Sequence, residues 1–78
     1  MQVYEIRQLS SEEIQQRLDD AREELFNLRV QWASGQLRDN NRLTQVQRDI
    51  ARMLTILREL ELASEWAQLE SEEEEVVA

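Results

Sequence analysis

Two apolar stripes run along this chain, one on each side of its only glycine, Gly35. The first consists of Ile14, Leu18, Ala21, Leu25, Leu28 and Trp32. The second consists of Leu43, Val46, Ile50, Met53, Leu57 and Leu60. Steps of three and four alternate in both, which is the spacing of a helix seam facing a second helix. A short polar link between two such helices predicts an antiparallel helical hairpin. The boundaries are marked by polar chemistry. Ser10-Ser11-Glu12-Glu13 offers a capping box, with Ser10 as N-cap and Glu13 at N3. Gly35 stands where a left-handed C-terminal cap is needed. Asp39 or Asn40 can cap the second helix, leaving a link of residues 35–39. The expected fold class is all-α: an antiparallel two-helix, coiled-coil-like hairpin with a short N-terminal lead-in and an acidic C-terminal tail.

Several apolar residues fall outside the two stripes. Val3, Tyr4, Ile6 and Leu9 form a lead-in, expected to make a helical turn that lies across the open side of the hairpin. Phe26 and Val30 lie well around the first helix from its seam. Either the lead-in covers them, or they contact a neighbouring protein or an RNA groove. Trp32 falls on the seam near the tip, so core packing is expected there, with a partner needed for its indole N–H. Leu62, Trp66 and Leu69 are spaced by four and three. They extend the helix to about residue 70, in a phase that leaves the seam. Trp66 is expected to rest on a protein surface or on the hairpin itself; the alternative is a flexible acidic brush. The run Glu72–Glu75 reads as solvated and mobile. The chain thus divides into a helical hairpin domain, residues 1–62, and an acidic extension, residues 63–78.

Charge changes sign along the chain. Residues 1–28 hold three Arg and seven acids, residues 29–58 six Arg and two acids, and residues 59–78 eight Glu and no base. The net charge of −8 is therefore a property of the tail and hides a basic middle segment. Within that segment Asn41, Gln45, Arg48, Arg52 and Thr55 project roughly opposite the second stripe. They carry no acid and are rich in hydrogen-bond donors, which suits phosphate and ribose oxygens. A solvated helix face is the plain alternative, although such faces commonly mix Glu with Arg for i,i+4 pairing. Arg29, Gln36, Arg38 and Arg42 near the hairpin tip would add contacts of the same kind.

Composition removes other classes of function. Seventy-eight residues allow one domain with a small core, marginally folded without a partner. The chain has no Cys and no His, so disulfides, thiolate chemistry and a zinc site are not expected. No cofactor, metal or small-molecule substrate is expected. Asp19-Asp20 and Glu23-Glu24 are sequence neighbours whose side chains diverge by about 100° on a helix, so they form no converging acid–base pair. With no Gly-rich phosphate loop and no room for an enclosed pocket, an enzyme is not expected. The absence of a long apolar run or a signal-peptide pattern points to a soluble, cytoplasmic protein with no membrane partner.

A resemblance sharpens this reading. Glu5-Ile6-Arg7, Leu9-Ser10-Ser11-Glu12-Glu13, Glu24-Leu25-Phe26-Asn27-Leu28-Arg29, Gly35-Gln36-Leu37, Arg42-Leu43, Val46, Arg48-Asp49-Ile50-Ala51-Arg52, Thr55 and Leu57-Arg58-Glu59 stand in an order and spacing similar to the L-twenty-nine family of large-subunit ribosomal proteins. The resemblance covers residues 4–62. It implies a structural, ribosome-bound protein: a helical hairpin on large-subunit rRNA near the polypeptide exit tunnel, beside the large-subunit protein L-twenty-three. The chain departs from the family pattern at Thr44 and Gln47, where members usually carry basic residues, in having no Lys, and in its acidic tail. The competing class is a coiled-coil hairpin adapter that binds other helical proteins. An adapter would place apolar or charge-paired residues on the Arg48/Arg52 face, where this chain places donors.

Overall fold

The computed structural model describes the backbone of residues 1–77 and the side chains of residues 1–73. It contains α1 (Val3–Arg7), α2 (Ser11–Ala33) and α3 (Asn41–Val77), with no strand among the described residues. Glu24 of α2 meets Arg42 near the tip, while Ile14 and Leu18 meet Met53 and Ile56 toward the base. The two long helices therefore run antiparallel. The molecule is a rod of 65 × 21 × 15 Å with a radius of gyration of 17.9 Å. A compact chain of this length would have a radius near 11.5 Å, about two-thirds of that.

The caps form at the expected positions, although only the Ser10 half of the expected capping box is made. Ser10 Oγ accepts the Glu13 N–H at 3.2 Å and starts α2. At the other end of α2, Gly35 adopts φ +77°, a conformation that L side chains rarely take. The Gln36 N–H donates to the Gln31 carbonyl at 2.9 Å and the Gly35 N–H to the Trp32 carbonyl at 3.1 Å. These are the two bonds of a Schellman cap, and they satisfy carbonyls that the helix would otherwise leave open. Asp39 Oδ1 then accepts the Asn41 N–H at 3.0 Å, starting α3. The link spans residues 34–40, one residue more at each end than the sequence suggests.

The core is a three-helix junction at the base of the hairpin. Ile6, Ile14, Leu18, Met53 and Ile56 are buried together, with Leu9, Ala21, Ile50 and Leu57 packed around them. Val46 is also buried, farther up the seam. Both stripes are therefore real, with two corrections. Trp32 is 49% exposed and Leu60 is 43% exposed. Trp32 sits in the last turn of α2 just before the link, where α3 is only starting, so little lies opposite to cover it. Leu60 lies level with the first turn of α2, where the neighbours across the crevice are the polar Ser11 and Gln15. Ile56, off the heptad seam, is buried because α1 packs over it.

α1 has a different role from one of those considered for it. It lies on α3, where Val3 and Arg7 face Ala51, Arg52, Thr55, Ile56 and Glu59 across a shallow crevice. It does not cover Phe26 or Val30, which are 67% and 51% exposed. α3 continues past residue 70 to Val77, and from Arg58 onward every described side chain is exposed. Trp66 does not fold back on the hairpin; it is 64% exposed. The side chains of Glu74 and Glu75 and the last residue, Ala78, lie outside the described residues.

Replacing Ile14 with Ala should cost about 2–5 kcal/mol, because the base of so small a junction cannot collapse around the gap. Phe26→Ala should change stability by no more than about 0.5 kcal/mol. Chemical denaturation followed by circular dichroism separates the two, and equal losses would mean that Phe26 is buried in solution.

Candidate nucleic-acid interface

The nine arginines divide into those committed to acids within the chain and those that are not. Arg42 is the most firmly held. Its Nε and Nη2 donate to the two carboxylate oxygens of Glu24 at 2.6 and 2.9 Å, a bidentate clamp between α3 and α2. The hydrogen bonds it donates to Glu24, and then the charge of Glu24, raise the guanidinium above its ordinary range. Arg58 is raised in the same way by Glu61, which it meets at 2.8 Å, with Glu65 at 4.0 Å. A base with a raised folded-state pKa loses that stabilisation only as pH climbs through the raised value. For arginine this lies far above neutrality, so these guanidinium groups add no pH dependence near pH 7.

Arg52 is tied into the base. Its Nη1 donates to the Met1 carbonyl at 3.1 Å and to Asp49 Oδ1 at 3.4 Å. The same Asp49 oxygen accepts from the N-terminal ammonium at 3.1 Å. Asp49 is thus the knot that holds the start of the chain against α3. Arg7 reaches Glu59 at 3.5 Å. Among the described residues Arg17, Arg22, Arg29, Arg38 and Arg48 make no ion pair.

The donor face read from the sequence is therefore split. Arg48 and Gln45 are exposed and uncommitted to acids. Asn41 is exposed, but its Nδ2 donates to Asp39 at 3.2 Å. Arg52 is half-buried beneath the start of the chain. Thr55 is exposed, with its hydroxyl donating to the Ala51 carbonyl at 2.9 Å and its lone pairs free. At the tip, Arg29, Gln36 and Arg38 are exposed. Because α1 occupies the Arg52 and Ile56 side, with Ala51 and Thr55 lining the crevice beside it, the open acid-free donors of α3 are Gln45, Gln47 and Arg48. Gln47 was not among the expected site residues. The spacing alone does not reveal it, because the open side depends on where α1 lies.

Phe26 and Val30 lie one turn apart on the outer face of α2 and form a second exposed feature. No group of acids among the described residues is arranged to hold a metal ion. No helix among them is long and apolar enough to cross a membrane.

Comparison with known proteins decides the family. Residues 4–59 match the family model described as "Ribosomal L29 protein". The chain belongs to the ribosomal L29 protein family. It is 58% identical over 59 residues to the large ribosomal subunit protein uL29 of Corynebacterium diphtheriae, covering 76% of this chain and 78% of that one. It is 55% identical over 64 residues to the protein of the same name from Geobacillus stearothermophilus, covering 82% and 97%. The protein of that name from Corynebacterium kroppenstedtii is 59% identical over 59 residues, covering 76% of this chain and 78% of that one. The L29 match takes in α1, α2, the link and α3 as far as Glu59, so it ends where the buried part of the molecule ends.

Asp49→Asn should release α1 while leaving the hairpin in place. Amide exchange at Ile6 and Leu9 is expected to quicken most, Met53 against Ile6 less, and Leu25 and Val46, farther up the seam, least. Uniform quickening would show Asp49 to be part of the global fold, and no change would show α1 to be held by Ile6 alone.

Proposed function

We propose that this protein is a non-enzymatic structural constituent of the large ribosomal subunit, cytoplasmic and ribosome-associated, and that it binds large-subunit rRNA near the polypeptide exit tunnel. The L29 family match carries the first part of this reading. The rRNA contact is supported by the uneven commitment of the arginines. Within the basic middle segment, Arg42, Arg52 and Arg58 face acids of the chain, while Arg29, Arg38 and Arg48 do not. A guanidinium without an internal partner is available for a bidentate bond to phosphate. The primary rRNA contacts are therefore assigned to Arg48 on α3 and to Arg29 and Arg38 at the tip. Gln36, Gln45 and Thr55 supply neutral hydrogen bonds. Arg42, Arg52 and Asn41 act mainly by setting the shape of the face.

The exposed Phe26 and Val30 suit a protein neighbour, for which L-twenty-three is the proposed partner. An apolar pair on an outer helix face gains by burial and has nothing in this chain to cover it. The division of the chain at residue 62 is retained as a functional one: α3 runs unbroken through it, and only the surroundings change.

Three phosphate contacts give a falsifiable salt dependence. The slope of log affinity against log salt for naked large-subunit rRNA should be about −2 to −3. Arg48→Glu should flatten it by roughly one contact, about 0.7–0.9, and weaken particle incorporation. Arg42→Gln should leave the slope nearly unchanged. Equal effects of the two substitutions would overturn the assignment.

Deleting residues 71–78 should leave rRNA affinity unchanged or slightly raised, since acids near phosphate are unfavourable. Incorporation of the truncated chain into large-subunit particles is the check. A clear loss would mean that the acidic end makes a necessary contact.

A further inference from the structure

The second half of α3 lies outside the L29 match; Leu60 and Glu61 still line a crevice with Ser11 and Gln15 of α2, but from Leu62 to Glu73 the side chains are exposed, and yet they are sorted. At about 100° per residue, Leu62, Trp66 and Leu69 fall on one line. Glu59 and Glu70 flank this line on one side, and Glu61, Glu65 and Glu72 on the other. The opposite face holds Ala63, Ser64, Ala67, Gln68 and Ser71, none of them charged. A helix whose acids served only solubility would carry them opposite its apolar residues. Between Leu62 and Glu72 the acids frame the apolar line and the far face is neutral; Glu73, which falls on the line itself, ends the apolar run. Glu61 and Glu65 also meet Arg58, and Glu59 meets Arg7, whereas Glu70 and Glu72 make no ion pair among the described residues.

We propose that the segment Leu62–Glu72 is a docking ridge for a protein partner: an amphipathic helix whose apolar seam is flanked by Lys or Arg. Trp66 is the central anchor, since a large exposed aromatic gains most from a pocket that excludes water. The acids on both sides act as the flanking positions of a two-helix seam, where opposite charges choose the partner. A second copy of this chain is disfavoured, because pairing the same ridge would set acid against acid. Nucleic acid is disfavoured for the same reason. The inference rests on Trp66 being a protein contact and makes no use of the rRNA reading.

The full chain carrying Trp32→Phe has Trp66 as its sole tryptophan. The probe is a synthetic helix with Leu at the seam and Lys at the flanking positions. Its addition should give a saturable blue shift of Trp66 fluorescence, weakening with salt. Leu62→Ser/Leu69→Ser on the same background should raise Kd at least about tenfold. Should that variant lose helix content, Glu65→Gln/Glu70→Gln/Glu72→Gln is the second arm, expected to raise Kd and flatten the salt dependence. The proposal is overturned by any of four results. These are no shift, an equal response to a peptide of the same composition with its seam scrambled, self-association through Trp66 in sedimentation, or the same shift with an RNA oligonucleotide. The peptide titration itself contains no RNA, so a failure to bind the peptide would leave the rRNA assignment standing.

Discussion

The structure depends on the burial of Ile6 between the two long helices. A hairpin of two helices has one seam and leaves both of its sides wet, so its hydrophobic gain is limited to a single row of contacts. Inserting Ile6 against Ile14, Leu18, Met53 and Ile56 converts the end of that row into an enclosed cluster. Ile6 and Ile14 reach complete burial, and Leu18 and Met53 nearly so. Near the tip Leu25, Leu28, Leu37 and Leu43 are only half-buried, and Trp32 is exposed. Stability is therefore concentrated at the base, while the tip is held by the Schellman cap at Gly35 and by the Arg42–Glu24 clamp.

That concentration has a consequence for charge. α1 must be pinned for Ile6 to stay in place, and a helix of five residues cannot hold itself. Asp49 supplies the pin, facing both the N-terminal ammonium and Arg52. Arg52 is thereby drawn from the outer face into the structure. The open donor strip is what remains after folding has used the arginines it needs. Arg48, one turn away from Arg52, is left facing solvent because α1 does not reach that side.

Heptad spacing made the hairpin legible. Ten of the twelve stripe positions are buried or half-buried, and the caps at Ser10 and Gly35 lie where their chemistry demands. Periodicity describes one helix at a time, and the errors follow from that. Trp32 has the right phase but too little of α3 opposite it. Leu60 has the right phase but only the polar first turn of α2 beside it. Ile56 has the wrong phase for the seam and is buried by a third element. Among the site residues, Arg48, Arg29, Arg38 and Gln36 kept the exposure expected of them. Arg42 is committed by Glu24, 18 residues away, and Arg52 by the Met1 carbonyl, 51 residues away, as well as by the local Asp49; the distant partners are what no local pattern encodes.

One unbroken helix, α3, carries a basic stretch and a strongly acidic one, and length is what makes them compatible. Arg48 and Glu61 are separated by thirteen residues, about 20 Å at 1.5 Å per residue. Arg48 and Glu70 are separated by twenty-two residues, about 33 Å. The Debye length near physiological salt is about 8 Å. The acids of the extension are thus two to four screening lengths from Arg48 and barely alter the potential there. Arg58, between the two stretches, is the residue close enough to feel them, and it is the one paired to Glu61. A flexible tail of the same composition would have no such protection, since it could fold its acids back onto the basic strip. Keeping the extension helical keeps the charges apart, so the rigidity of α3 permits an acidic protein-binding end on a chain whose other end suits a phosphate surface.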